Sequence, residues 1–268
     1  MKEVLLNNLL DKEFQKMLFP LNLMQTVILQ PKYRILNGFV TPIGLREYFI
    51  CFLGVIVVIF VNLIKWYSSK FYYEVDLASV DTLLAFDTAF YSLSSFVLLT
   101  VNFVQSKNNV LLILKLQQVY KVFDSNSGLK KTRNYNCVAI LIITLTCLLF
   151  LIINYGRHFH QIIFVISLYY FDGNIIFAIQ IMKFLEHEIK MWLKALDRFC
   201  VTCSEPNHNK LTKYFSEIEQ QETRLFTAFL DIMEAFKLYK YIFQYSVSIR
   251  AFYSLLVARD FIYAEFYY

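Results

Sequence analysis

The chain has 268 residues, of which 57% are hydrophobic, 18% aromatic and 18% charged, with a formal net charge of +5. A water-soluble domain of this length carries about a quarter charged residues. Here 27 Phe and 19 Tyr, with only six Gly and four Pro, point instead to long apolar helices in a membrane. The basic excess is distributed over separate short stretches, so it is not the footprint of a nucleic-acid-binding protein.

In chain order, the N-terminal segment 1–47 opens MKEVLLNNLLDKEF. Its alternation of charge with Leu provides neither the apolar core nor the small-residue cleavage site of a secretory signal. A bilayer core of roughly 30 Å needs about 20 helical residues. Three stretches without charge are close to that length, Tyr48 to Ile64, Thr88 to Ser106 and Asn134 to Gly156, and a fourth, entered near His160 and left at Lys183, is interrupted by a single acid. Thr82 to Asp87 would form the outer turn of the second. A fifth stretch, Tyr241 to Ala258, contains Arg250 near its centre and is an abnormal span.

Lys and Arg accumulate on the cytoplasmic side of short loops. The N-terminal segment has Lys2, Lys12, Lys16, Lys32, Arg34 and Arg46, and the loop after the first span has only Lys65 and Lys70. The second loop has Lys107, Lys115, Lys121, Lys130, Lys131 and Arg133, the third only Arg157, and the stretch from Lys183 to Lys237 is again rich in both. This alternation predicts a cytoplasmic N-terminus. The fold class expected is an all-α, polytopic membrane helical bundle, with long fourth and fifth helices extending into the cytosol. It divides into 1–47 (cytoplasmic), 48–182 (transmembrane helices one to four), 183–240 (cytoplasmic helices) and 241–268 (a partial fifth transmembrane helix with an atypical C-terminus).

The fourth span contains one charge, Asp172, in the stretch SLYYFDGNIIFAIQIMKF. At about 1.5 Å per residue Asp172 lies roughly 18 Å along the helix from His160, close to or just past the midplane. A carboxylate facing lipid there would cost several kcal/mol, so it is expected to face the bundle interior. Asn102 and Asn174 offer hydrogen bonds to it, and Gly173 allows close helix approach. Ile181, Leu185, Ile189, Trp192, Leu196 and Phe199 then form one helical stripe that outruns the membrane. After a turn at Ser204, Pro206, Asn207 and Asn209, a second stripe returns through Leu211, Phe215, Ile218, Leu225, Phe229, Ile232 and Phe236. Matching stripes predict a cytoplasmic helical bundle within or between subunits.

The stretches PLNLMQTVILQPKYRILNGFVTP, YYFDGNIIFAIQIMKFLEHEIKMWLKALDRF and TAFLDIMEAFKLYKYIFQ resemble the insect gustatory receptors, especially those of moths and butterflies. The resemblance extends from about Pro20 to Gln244. It implies a seven-helix subunit with an intracellular N-terminus, a tetrameric ligand-gated cation channel in the plasma membrane, and related subunits as partners. The sequence departs from the family after the fifth span, where RDFIYAEFYY replaces the expected sixth and seventh helices and the family's C-terminal motif. A C-terminally truncated or short, non-conducting form is the alternative, as is a multi-pass scaffold without a pore helix.

Ligand recognition is then expected at the outer ends of helices one to four, with Asp87, Tyr91, Asn154, His160, Tyr169 and Asp172 as candidates and Asn62, Trp66, Tyr155 and His158 nearby. Aromatic walls with a few polar groups suit a small organic tastant such as a sugar or a bitter plant compound. The same residue types also anchor helices at the membrane interface. Cys200-x-x-Cys203 with His208 lacks a fourth zinc ligand, and these thiols, in what reads as a cytosolic turn, are expected to be free. Cys51, Cys137 and Cys147 read as small packing residues. No cofactor or metal is expected, and no nucleophile with its base or phosphate-binding loop suggests an enzyme.

Overall fold

The computed structural model describes residues 8–72, 78–123, 126–153, 159–204 and 211–267. Among the described residues seven helices run in order as α1 (Lys12–Val27), α2 (Leu45–Tyr72), α3 (Ala78–Val104), α4 (Ser106–Phe123), α5 (Asn126–Ile153), α6 (Phe159–Ser204) and α7 (Leu211–Tyr267). A two-stranded hairpin, β1 (Arg34–Leu36) and β2 (Phe39–Thr41), precedes α2. The described residues are otherwise mostly helical, consistent with the expected all-α class.

The N-terminal segment is more ordered than its composition suggests. Asp11 caps α1 by accepting a 2.9 Å hydrogen bond from the Glu13 N–H, which satisfies one of the free donors of the first turn. Phe14, Met17, Leu18, Leu21 and Met24 then form one buried face. Burying each such side chain contributes about 1.5–3 kcal/mol relative to exposure to water. The helix closes through Leu29, whose φ of 57° is the left-handed conformation that glycine usually supplies, while the Gln30 N–H donates to the Gln25 carbonyl at 2.8 Å. Asn37 and Gly38, at φ 51° and 84°, make the hairpin turn, and an Asn-Gly pair is the usual sequence for a turn needing two positive φ values.

The expected loop from Lys107 to Arg133 is instead mostly helix, a correction to the sequence reading. Helix α3 breaks at Gln105, and α4 departs at 64° to it. The break is stitched to its surroundings: Ser106 Oγ accepts from the Ile43 N–H at 3.0 Å, and Gln105 Nε2 donates to the Tyr241 carbonyl at 3.1 Å. Helix α4 therefore packs against α6, α7 and β2 rather than connecting two spans as a loop.

The core is built around α1. Its apolar face belongs to one buried cluster with Val110, Leu112, Ile113 and Leu116 of α4, Phe177, Ile181, Phe184 and Leu185 of α6, and Ile242 and Phe243 of α7. Phe14 lies 6.0 Å from Phe184, edge to face, and Phe177 lies 5.7 Å from Phe243. Asn136 of α5 donates from Nδ2 to the Met17 carbonyl at 3.1 Å, and Gln117 of α4 both accepts from Asp11 N–H and donates to the Leu9 carbonyl.

The two long helices expected from the apolar stripes are present, with 46 residues in α6 and 57 in α7. At about 1.5 Å per residue each exceeds twice the roughly 30 Å of a bilayer's hydrocarbon. They pack on one another, Trp192 donating from Nε1 to the Leu225 carbonyl at 2.9 Å with its ring 5.2 Å from Phe229. The stripes are not fully covered: Ile189, Phe229 and Phe236 are 38%, 37% and 40% exposed. By length and composition, one helical window among the described residues, Leu45–Ile64, can cross a membrane, or two if the bent pair Thr88–Val104 and Ser106–Val122 counts as one span.

Candidate functional site

Five of the six candidate ligand residues fall on α3 and α6, and one of them, Tyr91, is fixed in a described cluster. Tyr91 of α3 is buried and packs with Val58 of α2, Leu98 of α3 and Tyr170 of α6. Phe90 extends this aromatic wall, 6.1 Å from Tyr91 and 5.7 Å from Phe252 of α7. The polar groups near it are small. Asn62 donates to the Val58 carbonyl at 2.7 Å, Thr88 donates to the Asn62 carbonyl at 3.4 Å, and Ser94 and Ser95 are buried on α3. A few hydroxyls and amides among rings can orient a small organic molecule by hydrogen bonding and stacking.

Helix positions for the other candidates are partly described. Asp87 lies one turn before Tyr91 on α3, and His160 and Tyr169 lie on α6, but the side chains of all three are outside the described residues. Asn154, Tyr155 and His158 lie outside them altogether, as do Pro206, Asn207, His208 and Asn209. Asp172 is half-buried on α6, two residues after Tyr170.

The surroundings of Asp172 differ from the expectation in two respects. Both asparagines offered to it by the sequence donate to other groups. Asn102 donates to the Pro31 carbonyl at 2.9 Å and approaches the Cys51 sulfur at 3.6 Å, and Asn174 donates to Gln30 Oε1 and the Tyr170 carbonyl. Gly173 does permit close approach, but of the connector after α1 rather than of another helix. A Cβ there would lie 2.5 Å from Ile28 Cδ1, and one on Gly54 of α2 would lie 2.8 Å from Leu29 Cβ. Two glycines thus form a saddle for the Ile28-Leu29 corner. Gln25 Nε2 donates to the Gly173 carbonyl at 3.3 Å to complete it.

This docked connector was not legible as part of a site. Gln30, Lys32 and Tyr33 read as cytoplasmic residues upstream of the first span, yet all three are buried. The signal available was the pairing of lone amides in apolar runs, Asn102 and Asn174, with a Gln-Pro-Lys segment able to satisfy them. The Lys32 ammonium lies 5.6 Å from the centroid of the Phe243 ring, and burial lowers its pKa to about 8. Burial likewise raises Tyr33.

Charged groups on α4, the second half of α6 and the middle of α7 are arranged differently. Lys115 of α4 bridges Asp231 at 3.0 Å and Glu234 at 2.7 Å on α7, and its pKa is raised chiefly by the hydrogen bond to Glu234. Glu188 of α6 is 1% exposed, its Oε2 has no hydrogen-bond partner among the described residues, and burial pushes it up to about 7.

The cysteines also depart in part from expectation. Cys51 is buried, but Cys137 is exposed on α5 rather than packed, and Cys200 and Cys203 lie on the last turns of α6 rather than in a turn. Cys200 is exposed and is in no disulfide among the described residues. Among the described residues no group of three or more His, Cys, Asp or Glu side chains could hold a metal ion. Comparison of the chain with family models, curated proteins and solved structures finds no match in any of the three.

Proposed function

We propose that the chain is a multi-pass plasma-membrane receptor subunit for small organic tastants such as sugars or bitter plant compounds, of the ligand-gated cation channel type. The observation that carries the membrane part is the exposure of apolar helix faces. The Leu45–Ile64 window is only 28% buried, unlike the core helix of a soluble domain. Phe49, Phe52, Ile56, Phe60 and Leu63 project outward from it, and Val138, Leu141, Leu145, Leu149 and Ile152 do so from α5. Faces of this extent need lipid or protein to cover them. The alternating loop charge supports a cytoplasmic N-terminus.

The receptor part is supported by the aromatic cluster of Tyr91, Phe90, Tyr170 and Phe252, with Thr88, Asn62, Ser94 and Ser95 as its polar groups. It joins α2, α3, α6 and α7, so a molecule bound there could bias the arrangement of helices that continue beyond the membrane. Asp87, Tyr91, Asn154, His160, Tyr169 and Asp172 remain the residues proposed to contact it.

Two measurements test this reading in order. Glycosylation acceptor sites inserted between α2 and α3 should be modified in cells, and sites inserted between α4 and α5 should not; the reverse would overturn the orientation. Cation current is then recorded from cells expressing the chain, alone and with related receptor subunits, on addition of sugars and bitter compounds. Current to either class supports the receptor, and altered current only with related subunits supports a non-conducting partner. Silence in every combination sinks both.

A further inference from the structure

A cavity of about 400 Å³ lies between the start of α5 and the middle of α6, away from the aromatic cluster. Lys131 of α5 and Lys183 and Lys190 of α6 line it, together with Gln180, Glu186 and His187. Gln180, Lys183, His187 and Lys190 share one face of α6 because they recur at three- and four-residue steps. The charge is unbalanced, with three ammonium groups against one carboxylate. Glu186 pairs with Lys190, Lys131 lies 5.8 Å from the centroid of the Tyr135 ring, and Lys183 has no ion-pair partner among the described residues.

Two polar atoms of the lining residues are buried behind the cavity surface. Gln180 is 4% exposed and its Oε1 has no hydrogen-bond partner among the described residues, nor has His187 Nε2. The His187 pKa is lowered first by burial and then by Lys131, Lys194 and Lys190, so the local field is positive.

We infer that this cavity binds a phosphorylated polyol head group of the inositol phosphate type, with Lys131, Lys183 and Lys190 on its phosphates and the hydroxyl-bearing Thr132 and Tyr135, which also line the cavity, beside its ring hydroxyls. The volume exceeds what a single inorganic anion fills, and the combination of cations with hydroxyl groups fits a molecule that carries both phosphate and hydroxyl. The location suggests the lipid form. Lys131 lies three residues before the third apolar run and Lys183 immediately follows the fourth, which on the membrane reading puts the cavity at the cytoplasmic surface. Basic pockets between helices at that level recognise anionic head groups.

The lipid form rests on the membrane reading, whereas binding of the free head group does not, so the test uses both. The purified full-length chain in neutral detergent is titrated with short-chain phosphatidylinositol bisphosphate, soluble inositol trisphosphate and inorganic phosphate, following the thermal unfolding midpoint. The inositol compounds should raise the midpoint, and phosphate at equal concentration should not. Lys131→Gln with Lys183→Gln should weaken the effect about 10- to 30-fold. Lys237→Gln with Lys240→Gln, the same charge change on α7, should leave it intact. Lys183→Gln alone gives the comparison if the double variant unfolds at a different midpoint without ligand. A response to the lipid but not to the soluble compound assigns the membrane form, and an equal response assigns the free one. An equal response to inorganic phosphate, a response unchanged in the Lys131 and Lys183 variants, or no response at all overturns the site.

Discussion

Two regions of the bundle solve the burial of polar groups in different ways. Where the connector after α1 docks, Asn102, Asn174 and Gln25 reach across to the backbone or side chains of distant segments, and two glycines admit the Ile28-Leu29 corner at contact distance. Around Tyr91, in the middle of α3, most of the described amide and hydroxyl bonds are local, Asn62 to its own helix and Ser95 Oγ to the Ser92 carbonyl at 2.7 Å, while Thr88 reaches across to the Asn62 carbonyl of α2 at 3.4 Å. Bonds between distant segments tie the first region to one arrangement, because shifting any element leaves a buried group unpaired. Local bonds travel with their helix when it shifts, so ring packing carries more of the second region's cohesion.

The strongest test of that contrast is Gly173→Val. Its side chain would occupy the position of Ile28 Cδ1, and a loss of about 1–3 kcal/mol or failure to fold is expected by thermal melting, with partial rescue by Ile28→Ala. No rescue would mean the saddle is not the cause. Further along the same packed face of α6, Glu188 predicts a pH dependence. Its pKa is raised from 4.5 unfolded to about 7 folded, so the native state holds the extra proton between those values. Stability should therefore be highest below about pH 4.5 and fall as pH rises through about 7, by about 2–3 kcal/mol from this group. Glu188→Gln should flatten the melting midpoint between pH 5 and pH 8, and an unchanged slope would remove Glu188 as its source.

Asn174→Ala should cost about 1–2 kcal/mol, because Gln30 Oε1 loses its donor in a buried site. Double substitution with Gln30→Ala should cost less than the sum of the singles if the pair is coupled. Tyr91→Phe should have the smallest effect on stability, within about 1 kcal/mol, while shifting the concentration dependence of tastant-evoked current. A large loss of stability with an unchanged response would make the Tyr91 cluster a second structural junction and erase the contrast. Asp172→Asn lies between the two regions: unchanged folding with an altered response assigns it to recognition, and lost surface expression alone assigns it to packing.

Helical content and the two long helices were legible because few Gly or Pro interrupt the apolar stripes of Ile181 to Phe199 and Leu211 to Phe236. The α3–α4 break was read as the end of a span, since Lys107 closes the charge-free run there, and nothing local showed that a helix continues at 64°. The hairpin carried a readable sign in Asn37-Gly38 that its short strands obscured. Among the candidate site residues, Tyr91 was legible as an aromatic at the outer end of a span, but Tyr170 beside it and Phe252 beside Phe90 come from helices remote in sequence.

Composition and periodicity by themselves determined that this chain is helical, apolar on faces too extensive to leave in water, and basic in alternate connections, because each property is local and repeats along the chain. Only the tertiary structure decided that the N-terminal segment is part of the core. Its polar residues and those of α3 and α6 each look unfavourably buried when read alone, and they become compatible once Gly54 and Gly173 let the connector close enough for hydrogen bonds to form.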